Sequence, residues 1–199
     1  MDPTVIQLPG RLPPGPYTRD DFVSLDEDDP RELLDGHLIA VDVPTRLHEY
    51  VVARLITPLG VRADRNSAGA VYPSGYKIRV TSKRGVMPDV QFFRPERMPE
   101  DAHQALTDGR PDLAVEVISP SSRTIDRFTK LSWYASIGVP EYWVIDPEDR
   151  TLERYVLRDG HDFIDGHLAD DVFKPETFPG LEIPLVKLWA VPGAKLPSQ

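Results

Sequence analysis

The sequence predicts a mixed α/β fold, α+β-like in the order of its elements. Three observations carry that reading. Segments such as VMPDVQFF, AVEVIS and EYWVID are short, apolar and rich in β-branched or aromatic residues, as buried strands are. RLHEYVVARLITPL places Leu47, Val51, Val52, Leu55 and Ile56 at the spacing of one helical face. Several strands then follow one another with no helix between them, which argues against strict βαβ alternation.

The elements follow in order. The first sixteen residues hold many of the prolines and no periodic pattern, so they are expected to form an extended arm. Thr18 is placed to cap a short helix through DDFVSL, with Asp20 and Asp21 suited to its first turn, and DEDDP breaks it. RELLDGHLIAVDV predicts two short strands about the turn pair Asp35-Gly36. The helix from Thr45 should end at Gly60. VYPSGYKIRV and VMPDVQFFR predict two strands joined by TSKRG, and Pro95 to Arg110 a surface loop. AVEVIS is a strand, and Ser119-Pro120-Ser121-Ser122 offers N-cap hydroxyls to a helix running to about Gly138. EYWVIDP and TLERYVLR predict a hairpin, and FPGLEIPLVKLW should pack back onto the body. The expected organisation is an arm over 1–16, one domain over 17–192 and a tail over 193–199.

Composition narrows the class. A chain of 199 residues, 40% hydrophobic and 28% charged, suits one substantial core of an ordinary soluble protein. No apolar run is long enough to cross a bilayer, and the N-terminus lacks the pattern of a signal peptide, so a cytoplasmic location is expected. The absence of cysteine excludes disulfides and thiolate zinc sites. A net charge of −9 argues against binding nucleic acid chiefly by counterion release. Lys77, Arg79, Lys83, Arg84, Arg123 and Arg127 nonetheless lie close in sequence to the residues of interest, leaving room for a local basic groove.

Those residues of interest are charges embedded in apolar strands. Glu116 sits among Ala114, Val115, Val117 and Ile118, where an isolated ionised carboxylate is costly. Asp89 follows Pro88, which keeps Met87 extended. On the next helix Asp126, Lys130 and Tyr134 stand four apart, on one face. Two acids brought together suit a hard divalent cation, and an amine beside them can hold a charged oxyanion. The plainer readings are an exposed Asp126–Lys130 ion pair and an Asp89 satisfied by backbone amides. Tyr134, Tyr142 and Trp143 read as core.

The chain resembles the Uma-two family of restriction endonucleases, in the PD-(D/E)XK nuclease superfamily. The matching stretches are RELLDGHLIAV, the His48 that opens the following helix, MPDVQFF, and PDLAVEVISPSSRTIDRFTKLSWYASIGVPEYWVIDP, together spanning about Arg31 to Pro147. The resemblance implies a restriction-endonuclease-like core, a central mixed β-sheet flanked by helices. It also implies Mg (or Mn) at Asp89 and Glu116, the first and second acids of the motif. The superfamily's lysine belongs two residues after the second acid, where this chain has Ile118. Lys130 on the next helix is the replacement the resemblance suggests, making Asp89, Glu116 and Lys130 the catalytic set. Glu32, Asp126 and His48 are supporting candidates: a further carboxylate, an orienting partner for Lys130, and a residue lining the site.

The expected function is metal-dependent hydrolysis of DNA, by a homodimer if both strands are cut. Two other classes stay open. One is a non-catalytic binding or assembly module on a nuclease fold; the other is a hydrolase of a small phosphorylated substrate, which tolerates an acidic surface better.

Overall fold

The computed structural model describes residues 15–26, 29, 31–40, 43–98, 103, 106–119, 125–158, 162–168 and 171–193. Most of the expected N-terminal arm, most of the C-terminal tail, and Pro120, Ser121 and Ser122 lie outside that set.

Helix α1 (Arg19–Val23) starts where Thr18 predicts. The Asp21 carboxylate accepts from the Thr18 N–H at 2.7 Å and from its hydroxyl at 2.8 Å, closing the first turn. Strands β1 (Arg31–Leu34) and β2 (His37–Ala40) form the expected hairpin. Asp35 and Gly36 both have positive φ, 47° and 81°, as a two-residue turn that matches strand twist requires.

Helix α2 (Arg46–Arg65) runs past Gly60, against expectation. Nothing lies within 4 Å of where a Cβ would stand at Gly60, so this residue faces solvent and costs only its backbone entropy. Leu59 and Ala63 are buried, and their packing carries the helix on for another turn.

The two long strands expected next are four. VYPSGYKIRV divides into β3 (Ala70–Pro73) and β4 (Lys77–Thr81), which belong to different sheets. The break falls at Gly75, whose φ of +105° is closed to ordinary strand residues. VMPDVQFFR divides at Pro88 into β5 (Arg84–Val86) and β6 (Val90–Phe93), since proline cannot donate to a ladder. Within the expected loop lie a 3₁₀ turn, Pro95–Arg97, and β7 (Leu106–Thr107), paired parallel with β4.

Strand β8 (Leu113–Val117) carries Glu116. The helix expected after it begins, among the described residues, as a π turn over Ile125–Lys130 and continues as α3 (Leu131–Ser136). Gly138, at φ +74°, follows its end. Strands β9 (Glu141–Asp146) and β10 (Thr151–Arg158) form the expected hairpin, extended by β11 (Asp162–Leu168). A small pair, β12 (Val172–Phe173) and β13 (Ile183–Pro184), and helix α4 (Val186–Trp189) complete the chain.

The main sheet has the order β11-β10-β9-β8-β6-β3, antiparallel except for the parallel pair β8/β9, and a second sheet has the order β2-β1-β5-β4-β7. Both faces of the main sheet are covered, so β8 and β9 are buried along their whole length. Leu113, Val115 and Val117 pack with α2 residues Val51, Leu55 and Leu59 and with the C-terminal Phe178, Leu185 and Leu188. The alternate residues, Ala114 and Ile118, pack with Trp133 and Tyr134 of α3 and with Leu34, Ile78 and Val86 of the second sheet. The FPGLEIPLVKLW segment therefore packs back onto the core as predicted. Glu116 is on the second of these faces by strand alternation.

Candidate active site

Asp89 immediately precedes β6, and Glu116 lies in the neighbouring strand β8. β6 and β8 pair antiparallel with Val90 opposite Val115 and Gln91 opposite Ala114, which brings Asp89 to the Glu116–Val117 end of β8. The Val117 N–H donates to Asp89 Oδ2 at 2.8 Å, fixing that carboxylate at the strand end. Val90 and Phe92 turn toward α2, so Asp89 shares the face of Glu116. The plainer reading of Asp89, a carboxylate satisfied by a backbone amide, describes one of its oxygens.

Lys130 is no surface partner. Its Nζ stands 3.1 Å from Glu116 Oε1, 3.1 Å from Glu32 Oε1 and 3.2 Å from Asp126 Oδ1. All four side chains are buried. Glu32 arrives from β1, one alternation from the buried Leu34, and also accepts from the Met87 N–H at 3.0 Å. Ile118, two residues after Glu116, is buried in the core with Ala114, Tyr134 and Val144. Asp126 and Lys130, which contact each other, both lie in the π turn, and such turns recur at functional sites.

His48, in the first turn of α2, has its backbone N–H capped by Thr45 Oγ1 at 3.2 Å, and its Nε2 lies 3.2 Å from Asp89 Oδ2. Asp89 and His48 keep 18% and 14% of their side-chain surface exposed, against 4–5% for Lys130 and Glu116, so solvent reaches the cluster from the Asp89 side.

Two hydroxyls belong to this site although their residues read from sequence as core. The Tyr134 hydroxyl donates to Glu116 Oε1 at 2.7 Å, and the Tyr142 hydroxyl donates to the Asp126 carbonyl at 2.9 Å. For Tyr134 the signal was present in the four-residue spacing from Lys130. For Tyr142 it lay in strand pairing, which sequence periodicity does not report.

One ammonium among three carboxylates leaves the cluster with excess negative charge in a buried place. Burial pushes Glu116 well above the usual carboxylate range and Glu32 upward, against the pull of Lys130. Burial works against the Lys130 ammonium too, but Asp126, Glu116, Glu32 and Asp89 outweigh it and raise its pKa well above the ordinary value. Burial opposes the His48 cation as well, and the bond to Asp89 overcomes it, so His48 holds its proton to a higher pH than a free imidazole.

Among the described residues, the basic side chains near the site in sequence are engaged within the fold. Lys77 is buried and donates to the Phe22 carbonyl at 2.8 Å. Arg79 pairs with Asp108 at 2.7 Å, Arg84 with Asp35, and Arg127 with Glu153 at 2.8 Å and Asp146 at 3.5 Å. Lys83 Nζ serves three carbonyls, of Gly15, Pro16 and Tyr17, at 2.9–3.1 Å. Arg123 lies outside the described residues.

Among the described residues, no three histidine, aspartate or glutamate side chains are grouped to hold a metal ion. The acids that converge do so on an ammonium. Mg²⁺ typically takes one or two carboxylates and keeps several waters, so the hard oxygens of Asp89 and Glu116 are a fitting donor set for it.

The family model described as "Putative restriction endonuclease", Uma2, matches residues 19–186. The chain belongs to the Uma2 family. Among solved structures, a putative nuclease of DUF820 from Anabaena variabilis superposes with a TM-score of 0.72 at 19% identity, covering 87% of this chain and 98% of that one. The Uma2 chain therefore has a nuclease-like mixed α/β fold, as the sequence predicts. The type IIG restriction endonuclease BpuSI matches at a TM-score of 0.39 and 14% identity, over 77% of this chain and 17% of that one. No curated protein matches this Uma2 member. Among its described residues, no helix is long and apolar enough to cross a membrane.

Proposed function

We propose that this chain is a divalent-metal-dependent endonuclease that hydrolyses DNA phosphodiester bonds, with Asp89, Glu116 and Lys130 as its catalytic residues. The observation that carries the reading is a buried ammonium 3.1 Å from Glu116, on the strand whose next residue, Val117, bonds the Asp89 carboxylate. Asp89 and Glu116 would hold Mg²⁺ or Mn²⁺, which supplies Lewis acidity toward a phosphate oxygen and a more acidic water. Lys130 would contribute an ammonium for the oxygens around phosphorus, with the bound cation offsetting the carboxylates beside it. Glu32 and Asp126 hold the ammonium in place, and His48 steadies Asp89 at the solvent side of the cluster. Cutting both strands of a duplex calls for two such centres, which a homodimer would supply.

A second reading is favoured by the internally paired arginines and the net charge of −9: a hydrolase of a small phosphorylated substrate. The two differ in what competes. Mn²⁺-dependent cleavage of a short labelled duplex should be inhibited by unlabelled duplex DNA and indifferent to mononucleotides at equal phosphate. Inhibition by mononucleotides alone would move the assignment to the small substrate.

A further inference from the structure

Tyr134 is completely buried, and its ring packs on Tyr142 with centroids 4.8 Å apart. Filling the core would need no more than phenylalanine. The hydroxyl is therefore the informative atom, and a phenol has one proton to give. It gives that proton to Glu116 Oε1 at 2.7 Å, the oxygen that also faces Lys130 Nζ at 3.1 Å. Two donors from one helical face thus fix Oε1, and with it the plane of the carboxylate and the place of Oε2. A carboxylate on a rigid strand still turns about its last torsion, and a ligand left free to turn binds a cation less well.

We propose that Tyr134 is a positioning residue: its hydroxyl orients Glu116 for the divalent cation. The inference rests on the metal-dependent reading above. Tyr142 supports the same arrangement from the other side. Its hydroxyl ties the Asp126 carbonyl, in the π turn, to β9, so the turn bearing Asp126 and Lys130 is anchored to the sheet that bears Glu116.

The test is isothermal titration of the nucleic-acid-free protein with MnCl₂, comparing wild type, Tyr134→Phe and Tyr155→Phe. Tyr155 is the control, since its hydroxyl bonds a carboxylate outside the site, Glu153, at 2.5 Å. Tyr134→Phe should weaken Mn²⁺ binding about tenfold, the ordinary cost of losing an outer-shell partner, with Tyr155→Phe unchanged. Equal affinity in wild type and Tyr134→Phe would overturn the positioning role and leave the metal reading standing. No Mn²⁺ binding by wild type would overturn both. Should Tyr134→Phe not fold, the near-ultraviolet difference spectrum of wild type on adding MnCl₂ decides: a phenol perturbation that is absent in Glu116→Gln supports the role, and none in wild type overturns it.

Discussion

Glu116→Gln should sharply reduce DNA cleavage and at the same time stabilise the protein. The amide keeps the size of the side chain and an oxygen that can accept from Tyr134, but it withdraws a negative ligand from the cation. We expect cleavage to fall by at least about 10²–10³, the scale of losing one charge-stabilising group from a reaction centre. Stability moves the other way. The folded-state pKa of Glu116 is raised well above the ordinary carboxylate value by burial, so between those two values the folded chain binds more protons than the unfolded one. Its contribution to stability is full below the unfolded pKa and is lost as pH rises through the folded one. Glutamine has nothing to lose over that window, so its advantage over wild type grows as pH rises. Urea denaturation of both proteins at pH 5 and pH 8 measures this. An equal difference at the two pH values would show that Glu116 carries no such burden.

Lys130→Met has the opposite sign. Removing the ammonium leaves Glu32, Glu116 and Asp126 converging on an uncharged side chain, and stripping one partner from a buried ion cluster costs about 3–5 kcal/mol. The loss should be largest above neutrality. As pH falls, Glu116 and Glu32 take up protons at higher pH than ordinary carboxylates do, and part of the stability returns by pH 5. An exposed Asp126–Lys130 pair would instead cost less than about 1 kcal/mol at any pH. Denaturation midpoints across pH 5–8 separate the two descriptions.

The acids of the site were legible in the sequence because a charge inside an apolar strand needs a reason, whatever the fold. Glu116 among Ala114, Val115, Val117 and Ile118 stands out on that ground alone. The hairpin at Asp35-Gly36 and the Thr18 cap were legible because their causes are local. What was missed is tertiary. Helix α2 passes Gly60 because Leu59 and Ala63 have a core to reach, and propensity does not know that. The strand breaks at Gly75 and Pro88 were written in the sequence, but the apolar residues on either side outweighed them. They place β4 and β5 in a second sheet with β1, and β1 brings Glu32 to Lys130. The pairing of Arg84 with Asp35 and of Arg127 with Glu153 joins residues far apart in the chain, which the sequence order of the basic residues does not report. Tyr134 was read as core for a sound reason, since its ring is core; the hydroxyl is a separate atom with a separate partner.

The central claim is metal-dependent cleavage at Asp89 and Glu116, and one measurement addresses it most directly. Supercoiled plasmid is incubated with purified wild type and with Asp89→Ala, each in MgCl₂, in MnCl₂ and in EDTA. Wild type should give nicked and linear DNA with either metal, and the plasmid should stay intact with EDTA or with Asp89→Ala. Intact plasmid from wild type in both metals, or equal cleavage by Asp89→Ala, would contradict it.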